Sequence, residues 1–159
     1  MAIYADVKVH IQAGTGQGGS SPPPTTNGWV RAKSQDGNGN WTVDSEYWFY
    51  YSGGNGNGSG NGGTAGGEVD IPAADGGTFT VGPSGNEVIN SISFIETQTP
   101  PPATPNYTTS GPVGGIFTVS DRAHEDPAGD SDAFDVFACA NNSPGATLLK
   151  CDPIIRNIR

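Results

Sequence analysis

Glycine- and proline-rich segments divide this sequence into short stretches, and this feature constrains the fold more than any other. The 159 residues include 25 glycines and 13 prolines. Between these segments, apolar residues alternate with polar ones, and no stretch places apolar residues at helical spacing over three turns. The sequence therefore predicts short β-strands joined by long loops.

The predicted architecture is one antiparallel β-sandwich of about eight strands, of the Ig-like or Greek-key/jelly-roll kind. It occupies residues 1–159 as a single domain with long loops at 14–28, 52–67 and 97–115. The first strand alternates clearly, with Ile3, Val7 and Ile11 on its apolar side and His10 on its polar side. The strand at 87–96 carries apolar residues in both alternations, which predicts a central position in its sheet.

Net charge and the length of the apolar segments each exclude one class of partner. The net charge of -9 repels phosphate backbones, so we expect no nucleic-acid binding. No segment approaches the roughly 20 apolar residues that cross a bilayer, so we expect no membrane insertion. No signal peptide is recognisable after Met1, which predicts a cytoplasmic protein or one exported without a leader.

Aromatic residues are densest in a single predicted strand at 41–51. Trp41, Tyr47, Phe49 and Tyr51 share one alternation, and Trp48 and Tyr50 share the other. If one set fills the core, the other forms a flat platform of the kind that stacks on sugars. The alternative is that both sets are buried. The candidate ligand-binding residues are Trp29, Trp41, Trp48 and Tyr50.

Acidic residues concentrate in the segment 121–135. Calcium accepts six to eight oxygen ligands from a flexible loop and would relieve the repulsion among these carboxylates. The candidate ligands are Asp121, Glu125, Asp126, Asp130, Asp132 and Asp135. The spacing matches no calcium motif, so a solvated acidic loop is the alternative, and we expect no other cofactor.

Two cysteines, Cys139 and Cys151, flank the turn sequence NNSPGAT. A hairpin centred on Gly145 would place them opposite each other, close enough for a disulfide. Two reduced, buried thiols are the alternative.

No serine, histidine and carboxylate stand at a spacing that indicates a catalytic site. We therefore expect a non-enzymatic binding or structural module that acts through protein–protein contacts or self-association. A carbohydrate-binding module with an aromatic platform and a calcium-stabilised adhesion-type domain are the alternatives.

Overall fold

The described residues form ten strands and one short 3₁₀ turn, at Gln17–Gly19. The computed structural model describes residues 3–24, 28–56, 67–72, 75–95, 106–122 and 131–158. The strands are β1 (Ile3–Ala13), β2 (Val30–Gln35), β3 (Trp41–Gly53), β4 (Val69–Ile71), β5 (Gly77–Pro83), β6 (Val88–Ile95), β7 (Tyr107–Val113), β8 (Ile116–Asp121), β9 (Ser131–Cys139) and β10 (Leu149–Ile158). Within the described residues there is no helix long and apolar enough to cross a membrane.

The strands form one mixed sheet that nearly closes into a barrel. Their order is β6-β9-β10-β2-β3-β1-β5-β8-β7, and β4 pairs with the end of β10 outside this order. The prediction of an all-β fold is confirmed. The purely antiparallel arrangement is wrong, because β1 pairs with β5 and β4 pairs with β10 in parallel. The two-sheet sandwich is not confirmed, since nine strands follow one another in a single hydrogen-bonded order.

The core lies inside this curved sheet. In β1, Ala5, Val7, Val9 and Ile11 are buried, as the alternation predicts, whereas Ile3 at the strand start is exposed. Aromatic rings from distant strands fill the centre: Phe79 of β5 lies 5.5 Å from Phe134 of β9, centroid to centroid. Burying a side chain of this size stabilises the fold by about 1.5–3 kcal/mol.

The strand predicted to be central, β6, lies at one end of the sheet. Its single partner among the described strands is β9. Ile89 pairs with Ala138 and Ser91 pairs with Phe137, so Asn90 is an extra residue in a β-bulge. The bulge changes the alternation: Ile89 and Ile92 are buried, whereas Val88, Ser91 and Ser93 are exposed. Apolar residues in both alternations here reflect a bulge and not a two-sided core strand.

The three predicted loops are partly structured. The segment 14–28 contains the 3₁₀ turn, and the second half of 97–115 forms β7 and the turn that follows it. Residues 57–66 of the glycine tract lie outside the described residues. The ends of this tract are fixed, because the Asn55 side chain donates to the Asp70 carbonyl and accepts from the Asp70 amide.

Gly53, where the tract begins, adopts a φ of 83°. A Cβ atom at this position would lie 1.9 Å from the Asp6 carbonyl oxygen. Only glycine fits where β3 leaves the sheet here.

The predicted disulfide is not formed, and both cysteines are free thiols. In the observed register Cys151 pairs with Val136, three residues before Cys139 along β9. Three residues of strand span roughly 10 Å, beyond the reach of a disulfide. Cys151 is buried in the core, and Cys139 has the opposite alternation from the buried Val136 and Ala138. The prediction was wrong because the hairpin register differs by an odd number of residues, which also exchanges the faces.

Candidate binding face

A large bulge in β3 determines which aromatic side chains lie outside the core. Lys33 pairs with Val43, but Arg31 pairs with Trp48, so the residues from Asp44 to Tyr47 stand opposite the single residue Ala32. Opposed residues share a face of the sheet, and Ala32 is fully buried. Val43 therefore lies with Lys33 on the outer face, and it is 61% exposed.

The bulge moves Trp41 to the same outer face. Phe49 and Tyr51 of the same predicted set are fully buried, whereas Trp41 is half-buried. The Trp41 ring packs 5.3 Å from the ring of Phe137. The prediction that Trp41 shares a face with Phe49 and Tyr51 is therefore wrong, because the alternation does not continue through the bulge.

Asp44 holds the bulge in shape and is itself buried. One carboxylate oxygen accepts hydrogen bonds from the amides of Glu46 and Tyr47, both at 2.8 Å. The other accepts from the Ser34 hydroxyl at 2.7 Å. Burial opposes ionisation of Asp44, but these hydrogen bonds and the charge of Arg31 outweigh it, so the pKa of Asp44 falls below its usual value.

Trp29, Tyr50 and His10 form an aromatic cluster on the outer face. The rings of His10 and Tyr50 stack in parallel with centroids 4.1 Å apart. Trp29 meets Tyr50 edge to face at 4.6 Å. His10 Nε2 lies 2.7 Å from the Ser52 hydroxyl. All three aromatic residues are half-buried, so the cluster contacts both the protein and solvent.

Trp48 extends the cluster along β3. The Arg31 guanidinium carbon lies 4.9 Å from the centre of the Trp48 ring, a cation–π contact. The indole N–H donates to the Gly19 carbonyl at 2.9 Å, which fixes the ring against the 3₁₀ turn. Arg31 also donates to the Asp44 carbonyl, so the same bulge positions this cation.

Glu87 supplies negative charge beside the cluster. Its carboxylate accepts hydrogen bonds from the Ile11 amide of β1 at 3.3 Å and from the Ser84 hydroxyl, just after the end of β5, at 2.7 Å. Burial lowers the pKa of His10, and the nearby Glu87 charge offsets part of this change. Burial and the same charge raise the pKa of Tyr50. Both effects favour neutral rings in the cluster at pH 7.

The structure thus brings Trp29, Trp48 and Tyr50 onto one face with His10 and Arg31, and it places Trp41 apart from them on Phe137. The predicted separation of Trp48 and Tyr50 from Phe49 and Tyr51 is confirmed. A ligand role for these side chains stays a prediction.

The candidate calcium ligands are divided among different surroundings. Asp121 and Asp132 are buried, and Asp132 accepts a hydrogen bond from the buried Tyr107 hydroxyl at 2.5 Å. Asp135 has the other alternation of β9 and pairs with the Lys150 ammonium at 3.6 Å. Glu125, Asp126 and Asp130 lie outside the described residues. In the part of the chain that is described, no three acidic, histidine or cysteine side chains group as metal ligands.

Sequence reasoning missed His10, Arg31 and Asp44 as parts of this face. A signal for the bulge was present: Asp44, Ser45 and Glu46 place three polar residues inside an otherwise aromatic strand.

Comparison with protein families, curated proteins and solved structures gives no match.

Proposed function

We propose that this protein is a non-enzymatic assembly module that pairs with copies of itself through the ends of its sheet. The observation that carries this proposal is the composition of the two terminal strands. Neither β6 (Val88–Ile95) nor β7 (Tyr107–Val113) contains a charged residue, although the net charge of the chain is -9. The strands themselves therefore add no like charges when two acidic copies approach edge to edge.

Terminal strands present unpaired backbone groups along their outer edges, and proteins that stay monomeric usually protect them with charges or proline. Exposed apolar side chains accompany both edges here. Val88 and Ile95 of β6 are 39% and 38% exposed, and Val113 of β7 is 80% exposed. Pairing with another strand would satisfy the backbone groups and remove these side chains from water.

Sedimentation velocity over a wide concentration range tests the proposal. We expect an assembly that grows with protein concentration and that dissociates when lysine is placed on the edge that pairs, Ser93→Lys for β6 or Thr109→Lys for β7. Thr42→Lys is the matched control, because it adds the same charge at an exposed position on the inner strand β3. A wild-type protein that stays monomeric at the highest soluble concentration would refute self-assembly.

Among the described residues, His10 and Ser52 form a pair that resembles a base and a nucleophile, with His10 Nε2 2.7 Å from the Ser52 hydroxyl. Its geometry favours a structural role, since the imidazole ring is stacked on Tyr50 and Glu87 bonds the Ile11 amide and Ser84. Labelling with a fluorophosphonate probe separates the two roles. Covalent modification of Ser52 that is lost in His10→Gln would contradict the non-enzymatic assignment.

Carbohydrate binding is the second candidate function. The observation that favours it is the outer-face cluster, where half-exposed Trp29, Trp48 and Tyr50 lie with the hydrogen-bonding side chains of Arg31 and Ser52. Aromatic rings beside such groups suit the C–H and hydroxyl groups of a sugar.

A glycan array tests this second function. We expect Trp48→Ala to abolish any binding, while Trp41→Ala, a substitution of the same kind away from the cluster, leaves it unchanged. An array without any bound glycan would exclude the cluster as a sugar site for the glycans printed.

The first proposal includes a jelly-roll-like fold, in which two halves of the curved sheet face each other across the core. Phe79 of β5 and Phe134 of β9 contact each other across the core, although four strands lie between β5 and β9 in the sheet order. Among the described strands, β6 and β7 are the two ends of the hydrogen-bonded order.

A further inference from the structure

The bulge at Asn90 makes β6 self-complementary. When Asn90 is set aside as the extra residue, the remaining positions read Val-Ile-Ser-Ile-Ser-Phe-Ile from Val88 to Ile95. Reversing this string pairs Val with Ile, Ile with Phe, Ser with Ser, and the central Ile with itself. An antiparallel two-fold pairing would therefore match apolar residues with apolar residues and serines with serines.

The two faces of the strand obey the same symmetry. The register with β9 places Val88, Ser91, Ser93 and Ile95 on one face, opposite Cys139, Phe137, Asp135 and Ala133. Ile89, Ile92 and Phe94 lie on the other face, which packs on the core. A two-fold axis at Ile92 pairs outer residues with outer residues and core residues with core residues, as continuous sheets require.

The bulge is essential to this match. Without it, Val88 and Ile95 would have opposite alternation and would point to opposite faces of the strand. With it, the exposed Val88 lies opposite the exposed Ile95 of a second copy, at both ends of the pairing. Asn90 with Ile89 would stand opposite Phe94 of the second copy, in the same two-against-one relation that they have with Ala138 of β9.

The other terminal strand lacks these properties. β7 contains Gly111 and Pro112, and its register with β8 is broken between Ser110 and Val113. Proline lacks a backbone N–H donor and is a device that prevents pairing at an edge. β6 contains no proline, glycine or charged residue, and it has the β-branched composition that favours strand pairing.

We infer that β6 is the two-fold interface of a homodimer, in which the sheet continues from β9 and β6 of one copy into β6 and β9 of the other. The occupant of the edge is a second copy of this chain, because the strand from Val88 to Ile95 carries no charge and matches itself in reverse. This inference rests on the proposed assembly function and specifies the interface that performs it.

Disulfide trapping between two different single-cysteine variants tests the register. Ser91 of one copy would face Ser93 of the other, with Cα atoms about 4.5–5.5 Å apart, within disulfide range. Two copies of Ser91 would be diagonal neighbours about 7–8 Å apart, too far to bridge readily. Both serines are exposed, so neither cysteine disturbs the core. Cys139→Ser in both variants removes the half-buried native thiol, and Cys151 is buried.

Oxidation of a mixture of Ser91→Cys and Ser93→Cys is expected to give a covalent dimer several-fold more abundantly than either variant alone. Equal yields from the single variants would overturn the inference. If sedimentation shows a dimer and the mixture gives no cross-link, the interface lies elsewhere and the assembly function stands. If wild type and variants are all monomeric, both the interface and the function fall.

Discussion

Replacing Asp44 with alanine tests whether this one carboxylate holds the β3 bulge and, through it, the outer face. The side chain accepts three hydrogen bonds, from the amides of Glu46 and Tyr47 and from the Ser34 hydroxyl. In the alanine variant these three donors lose their acceptor. The backbone from Asp44 to Tyr47 then loses the contacts that keep it opposite Ala32.

The magnitude follows from the type of these bonds. A hydrogen bond to a charged group contributes about 1.5–3 kcal/mol net, and the two amides share one oxygen, so their contributions do not add fully. We expect Asp44→Ala to lower the free energy of unfolding by about 3 kcal/mol. For a chain of this length that corresponds to a fall in Tm of about 6–12 °C.

Urea denaturation followed by tryptophan fluorescence measures this loss. Asp44→Asn is the matched control, because its amide oxygen still accepts from both backbone N–H groups, and we expect it to cost about 1 kcal/mol. A loss below 1 kcal/mol in Asp44→Ala, or equal losses in both variants, would show that the carboxylate does not hold the bulge in the way described.

Three further predictions concern other buried groups. Tyr107→Phe removes the hydrogen bond to Asp132 and is expected to lower the free energy of unfolding by about 1.5–3 kcal/mol in the same urea assay, whereas no loss would mean that water replaces the hydroxyl. Because the folded-state pKa of His10 is lowered, the unfolded chain takes up its proton first, and stability should fall as pH drops from above 6.5 through the folded pKa. His10→Gln should flatten the Tm profile over that interval relative to His124→Gln, and unchanged profiles would contradict the assignment. Since Asp132 and Asp135 already bond Tyr107 and Lys150, we expect equal Tm values in calcium and in chelator, and a rise in Tm with calcium would restore the acidic segment as a metal site.

The alternation of apolar and polar residues correctly predicted which side chains are buried in parts of β1 and β3. In β1 it identified the buried Val7, Val9 and Ile11, and in β3 it separated Trp48 and Tyr50 from the buried Phe49 and Tyr51. The register is unbroken over residues 7–11 of β1 and 48–51 of β3, so the period of two holds within these segments.

The errors share one physical cause. Trp41 was assigned to the wrong face, β6 to the wrong position in the sheet, and Cys139 to the wrong partner. Each error follows a change of register, at the β3 bulge, at Asn90 and in the hairpin between β9 and β10. An extra or shifted residue exchanges the two faces of a strand, and a strictly alternating reading has no place for it.

Local chemistry in the sequence was sufficient to establish the all-β class, the acidic surface and the pairs of residues that can share a face, because these depend on composition and on a period of two. The tertiary structure alone decided that β1 and β5 run in parallel and that β6 ends the sheet. It also decided that Tyr50 packs against both His10 and Trp29 and that Asn90 is an extra residue in β6. These features depend on which strands pair and in what register, and that choice is made by contacts between residues far apart in the chain.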